Sequence, residues 1–426
     1  MENGVRTATL WRAVLGVEKT VIESVEYDEE VEAVIASVRP ARRGGRRCGI
    51  WQRRSPGYDR GEGRRRWRSL DLGTIPVWLE ADAPRVSCSD HGPTVAMVPW
   101  ARHGAGHTHA FDQQVAWLAT QCSKSAVTEL MRIAWRTVGA IISRVWNDVA
   151  DLHDQFANLR RIGIDEISYK RGHKYLIVVV DHDSGRLVWA APGRDRATLN
   201  LFFDALEASG EGRCAAITHV SADGADWISA VVADRCPAAV RCADPFHVVK
   251  WATEALDEVR REAWNQARGA VTKRRAGRSS GHAKALKHAR YALWKNPENL
   301  TTRQQAKLAW VAQTDPRLHR AYLLKEGLRL VFQLDPDEAP GALEKWISWA
   351  RRCRIPAFVD LQRRIVKHRS SILAAIAHGL SNGRIESVNT KIRLLTRVAF
   401  GFRSPEPLIG LAMLTLGGHR PLLPGR

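Results

Sequence analysis

Long hydrophobic runs are missing from this chain of 426 residues. The longest clear one, Tyr175 to Val180, is six residues and ends at Asp181. That is far short of the roughly 18–20 residues that cross a bilayer, so no membrane span is expected. Met1-Glu2-Asn3-Gly4 lacks a basic segment followed by an apolar one, so no signal peptide is expected either. Cysteine is scarce, seven in all without regular spacing. This excludes a disulfide framework and points to a reducing cytoplasm. Glycine, 32 of 426, shows no period, which excludes a collagen-like chain.

Lysine is also scarce, 14 against 51 arginines. The formal net charge is nonetheless +20, with a pI near 10.2. Arginine forks match phosphate bidentately, so the excess points first to nucleic acid. An apolar fraction of 45% is enough for packed cores. At about 150 residues per domain, two to three domains are expected.

The charge is uneven. Between Arg39 and Arg68 there are twelve arginines, Arg64, Arg65 and Arg66 among them, against Asp59 and Glu62. Gly44-Gly45 and Ser55-Pro56-Gly57 break regular structure there, which predicts a basic arm or loop. Trp67–Leu72 and Ile75–Leu79 then alternate as two strands around Gly73-Thr74. From Asp112 the apolar spacing turns helical, and two amphipathic helices meeting near Arg132–Trp135 are compatible with a helix-turn-helix. Arg136 lies on the second. From Arg160 the order β-β-β-α-β-α-β predicts an α/β sheet, with strands at Arg161–Asp165, Tyr175–Val180, Gly185–Ala190, Ala215–Val220 and Ala239–Cys242. Val248 to Ile376 reads as all-helical and basic, with one cluster at Lys273-Arg274-Arg275 and Arg278. Gly383 to Gly401 is again helix-like.

Three acids stand where such a chain would expose them. Asp165 ends the first strand, Asp223 follows the fourth, and Glu386 sits on the late helix. Acids at strand ends converge at one edge of an α/β sheet, where ligands bind. Carboxylates gathered there repel each other unless a cation neutralises them, and Mg²⁺ bridges carboxylates to phosphates. Asp244, after the fifth strand, competes for the second position.

Several strings resemble the insertion-sequence transposases of the ISL-three family. They are Gly163-Ile-Asp165-Glu166 followed by Tyr169–Tyr175; Cys242-Ala-Asp244-Pro-Phe246-His247; and Ser381-Asn-Gly383-Arg-Ile-Glu386-Ser-Val-Asn389-Thr-Lys391, with Arg397–Arg403 after it. The resemblance covers essentially the whole chain. It implies a ribonuclease H-like α/β core interrupted by an all-helical insertion, behind a zinc-finger-like β unit and a helix-turn-helix. The domains would be a basic finger-like region over 1–111, a helix-turn-helix over 112–150, a first core part over 158–250, an insertion over 251–376 and a completing catalytic helix over 377–426. It also implies Asp165, Asp223 and Glu386 as a catalytic DDE triad holding two Mg²⁺ ions, with Mn²⁺ as a substitute. Asp223 is preferred to Asp244 because its strand adjoins the first strand in this fold. Glu386, Asn389 and Arg393 share a helix face. DNA contacts are expected from Arg64–Arg66, Arg136, Lys273–Arg275 and Arg393, on terminal inverted repeats and target DNA, by a homo-oligomer in the cytoplasm at the nucleoid. Cys242 and His247 form a C-x₄-H pair that would arrange flanking DNA or pack beside the sheet.

The finger departs from the family pattern. Cys48, Cys88 and His91 remain, but Trp51 stands where a fourth ligand is expected. Three ligands do not close a structural zinc site. The expectation is a degenerate finger, with zinc lost or with His103, His107 or His109 substituting, and with Trp51 packing in place of the metal bond. A Mg²⁺ nuclease or resolvase on the same core, and a catalytically inactive DNA-binding regulator, are the alternatives. Inverted repeats and a target duplication in the flanking DNA would separate them.

Overall fold

The structure, a computed structural model, describes residues 7–41, 46–273, 279–381 and 383–425, without the side chains of 7–8, 270–273 and 279–280. Met1–Gly4, Arg42, Arg43, Gly44, Gly45, Arg274, Arg275, Arg278 and the Lys273 side chain fall outside the described residues. The chain forms two compact units, 1–153 with 394–426, and 154–393.

The first unit opens with α1 (Thr7–Leu15), β1 (Thr20–Asp28) and β2 (Ala33–Pro40), then β3 (Gly57–Asp59), β4 (Arg64–Leu72), β5 (Ile75–Asp82), β6 (Arg85–Cys88) and β7 (Gly92–Val95). One sheet runs β1-β2-β5-β4 and a smaller one β3-β6-β7. Strand β5 buries Val77, Leu79 and Ala81, every second residue, the signature of a half-buried strand. Trp67 meets Trp100 edge to face at 5.5 Å inside this core.

The basic arm expected over Arg39–Arg68 is corrected at both ends. Arg39 lies in β2 and Arg64–Arg68 in β4. Arg64 and Arg66 both pair with Glu80 on the neighbouring strand, at 3.0 and 2.6 Å. Arg65 donates to the Ala105 carbonyl and lies over the Trp67 ring. Cross-strand pairing let the charged run become a strand.

Three helices follow, α2 (His109–Gln121), α3 (Lys124–Met131) and α4 (Trp135–Leu152). Thr108 and Ser123 side chains cap the first two by accepting N–H bonds from Phe111 and Ala126. Arg132, in the left-handed region at φ 53°, ends α3 and turns the chain toward α4. Fully buried Asp112 accepts from Arg102 at 2.9 Å and Arg144 at 3.1 Å, which locks α2 to α4.

The second unit contains β8 (Arg161–Lys170), β9 (Lys174–Asp181), β10 (Leu187–Pro192), α5 (Arg196–Ala208), β11 (His219–Ala222), α6 (Asp226–Arg235) and β12 (Val240–Ala243). Their order in the sheet is β10-β9-β8-β11-β12. Strands β8, β11 and β12 are parallel, and β9 and β10 antiparallel. The expected strand at Ala215–Val220 is corrected to His219–Ala222, because Ala215 and Ala216 belong to the turn after α5. Ile162, Ile164, Val220 and Ala222 bury one sheet face with Leu199, Phe202 and Phe203 of α5.

An all-helical stretch follows: α7 (Pro245–Lys273), α8 (Ser279–Lys287), α9 (Arg290–Trp294), α10 (Thr302–Thr314), α11 (Pro316–Val331), α12 (Ala339–Arg352), α13 (Pro356–Lys367) and α14 (Arg369–Ala377). It has its own core, in which Leu256, Leu324, Trp346 and Phe358 are buried. Helix α15 (Gly383–Val398) begins in the second unit and ends in the first, where α16 (Glu406–Leu416) packs against α2 and α4. No helix among the described residues is long and apolar enough to cross a membrane.

Candidate functional site

Three short strings in the second unit end in aspartate: Gly163-Ile-Asp165, Ser221-Ala-Asp223 and Cys242-Ala-Asp244. The parallel register aligns them, since Ser221 lies opposite both Gly163 and Cys242. Each aspartate is two residues beyond an aligned residue. The three therefore form a row across β8, β11 and β12, with strands about 4.8 Å apart. Asp223 and Asp244 follow the ends of their strands, but the expectation that Asp165 ends the first strand is corrected, because pairing with β9 carries β8 on to Lys170.

Helix α15 lies on the face that carries this row. A Cβ added to Gly163 would sit 2.2 Å from the Ile385 side chain, so only glycine admits the helix here. One turn on, Asn389 donates to Asp165 Oδ2 at 2.7 Å. Gly163 to Asp165 and Ile385 to Asn389 are matched steps, so α15 runs along β8 in its own direction. Asn389 is 2% exposed. Its Oδ1 is buried and meets no hydrogen-bond donor among the described residues.

Burial pushes the Asp165 carboxyl up. The Glu166 N–H bond at 2.8 Å and the His247 ring pull it back, and Asp223 and Asp244 push it up further. Asp223 accepts the Ala225 N–H at 2.9 Å. Asp244 is 2% exposed and has both oxygens engaged, one by the Phe246 N–H at 3.1 Å and one by His247 Nδ1 at 2.5 Å. That bond holds the His247 pKa up, with Asp223 and Asp165 adding to it. Cys242 is buried with Ala375 and Leu380, which makes it a packing residue rather than a partner of His247.

Of the other residues singled out in the sequence, Glu386 is exposed on α15, one turn before Asn389. Arg393 is exposed one turn after it. Arg136 is exposed at the second position of α4. The sequence analysis placed Asn389 beside Glu386 but missed its bond to Asp165. The aligned x-x-Asp strings were the available signal for the row.

The first unit holds a second cluster. The Cys48 and Cys88 sulfurs and a His91 ring nitrogen lie within 4.8 Å of one another. His91 Nδ1 is 3.7 Å from Cys48 Sγ and 3.5 Å from Cys88 Sγ. Tetrahedral zinc, with Zn–S about 2.3 Å and Zn–N about 2.05 Å, separates S from N by about 3.6 Å. The three residues therefore fit three positions of a zinc site. The Asp90 N–H and the His91 ring hold the Cys88 thiol down, to about 7. Trp51 does not replace the metal bond by burial. It is 49% exposed, with its ring edge-on to His91 at 4.9 Å. Of the three histidines considered as substitutes, His103 lies beside Gly49, whereas His107 stacks on Phe111.

Residues 162–410 match a model described as a transposase of the ISL3 group. Residues 96–146 match the helix-turn-helix domain of transposase family ISL3. Residues 46–91 match the zinc-finger of transposases IS204, IS1001, IS1096 and IS1165. Transposases for insertion sequence element IS1557 from two Mycobacterium tuberculosis strains, CDC 1551 and H37Rv, are each 65% identical over 99% of this chain and 98% of their own length. The transposase for IS1001 of Bordetella parapertussis is 28% identical over 80% of this chain and 82% of its own.

Proposed function

The chain belongs to the ISL3 family of insertion-sequence transposases, and on that premise we propose that it cuts DNA at the element's ends and joins them to a target. Its helix-turn-helix implies DNA binding. The observation that carries the chemical reading is the aligned row of Asp165 and Asp223 under α15, the helix that bears Glu386. The five-strand order and the all-helical stretch support a ribonuclease H-like core with a helical insertion.

Asp165, Asp223 and Glu386 are the residues that would hold Mg²⁺. The gathered carboxylates and the unpartnered Asn389 Oδ1 fit a cation with its shell of oxygen ligands. When bound, a pair of such ions stabilises the attacking and leaving oxygens of a phosphodiester displacement. The protein's own part is to orient. The Glu166 N–H and the Asn389 amide each hold one oxygen of Asp165, fixing the carboxylate plane. His247 holds one oxygen of Asp244. Asp223 is the second acid, because Asp244 is spent on the start of α7 and on His247. In the first step water attacks the phosphodiester and a 3′-hydroxyl leaves. In the second that hydroxyl attacks a target phosphodiester and displaces a new 3′-oxygen. The protein acts as an oligomer on paired ends.

The test incubates the chain with DNA carrying the element's ends, with Mg²⁺ or with Ca²⁺. Cleavage and joining with Mg²⁺, abolished by Asp165→Asn with end binding retained, support the reading. Cleavage without joining would favour a nuclease. Joining through a covalent protein–DNA adduct would overturn the reading.

A further inference from the structure

A cavity of about 820 Å³ in the second unit starts beside the aspartate row. One wall is a single face of α7 from Phe246 to Arg261, and the other comes from the ends of α9 and α11. Fifteen residues of helix rise about 22 Å, so the cavity is a groove leading away from Asp244. Its mouth is Phe246, 58% exposed, whose N–H bonds Asp244. Farther along stand Trp294 and Phe332.

Both cations and aromatics line this groove. Lys250, Arg261, Arg290 and Arg329 line it; Lys250 pairs with Glu254, and Arg329 with Glu298 and Glu326. Asp257 is neutralised by Arg260 and Arg261. Arg290 lies flat over the Trp294 ring at 3.9 Å and meets no carboxylate among the described residues. A groove with rings along it and, on one of them, an arginine free of carboxylates among the described residues suits neither a duplex, whose bases are stacked inside, nor an apolar peptide. It suits an unpaired strand, whose bases stack on rings while its phosphates meet cations.

From this geometry, and resting on the functional reading above, we infer that the groove takes a short unpaired DNA segment adjoining the scissile phosphate. A strand whose phosphate sits at Asp165 and Asp223 passes Phe246 first, where a base leaving the duplex stacks. Arg290 and Trp294 form the next platform. The groove thereby holds the end open while the row acts on it.

Two measurements on the full chain test this. In the first, end duplexes are compared fully paired and with three mismatched pairs beside the cut. The mismatched duplex should bind about tenfold tighter or more, since each stacked base is a substantial contribution. Phe246→Ala and Arg290→Gln, both at exposed side chains, should lose that preference and keep the affinity for paired ends. Equal binding of both duplexes by the unaltered chain, or an undiminished preference in both variants, overturns the inference. In the second, oligothymidine bearing 5-iodouracil is irradiated with the protein and the crosslinks are mapped. Crosslinks at Phe246, Trp294 or Phe332 support the groove, and crosslinks confined to residues outside it overturn it. This arm needs no element sequence, so failure of end cleavage counts against the functional reading alone.

Discussion

Asn389 donates its amide N–H to Asp165 Oδ2 across 2.7 Å, joining residues 224 positions apart. The bond ties a carboxylate on the first strand of the sheet to the helix that bears Glu386. Hydrogen bonds behind a ligating group set its orientation, and losing one typically costs 10–100-fold in metal affinity or activity. Asn389→Ala should therefore slow end cleavage by about that factor while DNA binding is retained. Single-turnover cleavage beside a binding titration checks it, and an unchanged rate would remove Asn389 from the site.

The row offers two choices of second acid, and they separate cleanly. Asp223→Asn should abolish cleavage and joining with the fold intact. Asp244→Asn should be milder in activity yet lower the melting temperature, because Asp244 accepts the Phe246 N–H and holds His247. A dead Asp244→Asn beside an active Asp223→Asn would exchange the two assignments.

Restoring the missing thiolate should tighten the finger. Trp51 lies against His91, so Trp51→Cys places a fourth ligand near Cys48, Cys88 and His91. Zinc affinity, measured by competition with a chromophoric chelator, should rise by at least tenfold, because a closed site replaces an open one. Cys88→Ser should bring it below that of the unaltered chain. No change in either variant would mean that these residues do not hold zinc.

His182 should make the fold acid-sensitive. It is 3% exposed, bonded to Ser221 Oγ at 2.7 Å, and burial pulls its pKa down to about 4. Unfolded, it titrates near 6.5, at about its ordinary value. Between those two values the unfolded chain takes up a proton that the folded chain refuses. Stability therefore falls as pH drops through that window, by about 3 kcal/mol in all. His182→Gln should flatten this part of a denaturation series. A slope unaffected by the change would show that other groups set it.

DNA affinity should fall steeply with salt, each phosphate contact adding about 0.9 to the log–log slope. Arg136, exposed at the start of α4, should contribute one such contact. Arg64→Ala with Arg66→Ala should lower the slope by less than two contacts, because both already pair with Glu80. A full loss of two would mean that DNA draws them off Glu80.

Local pattern carried most of the second unit. Val178 and its neighbours read as a buried strand, and the period of the helices from α7 to α14 is plain in the sequence. The arginines of β4 hid a strand because their partner, Glu80, lies on the next strand and looks like an ordinary surface acid. The alternation of Val34, Ala36 and Val38 in β2 was legible and went unused. The aspartate row needed the register of three strands, and Asn389 needed a contact across 224 residues. The strings that end in Asp165, Asp223 and Asp244 were visible, but their alignment and the Asn389 contact lie beyond any short window.

Helix α16 has a consequence for the order in which this protein packs. Gly410 sits so close to Ile142 that an added Cβ would come within 3.3 Å of its side chain, and Pro407 lies as close to Gly139. Part of the apolar side of α4 is thus covered by residues made some 265 positions later, after the second unit has been synthesised. A nascent or truncated chain ending before Leu416 presents α4 with that part bare. The packing around α4 is then complete only once α16 has been made.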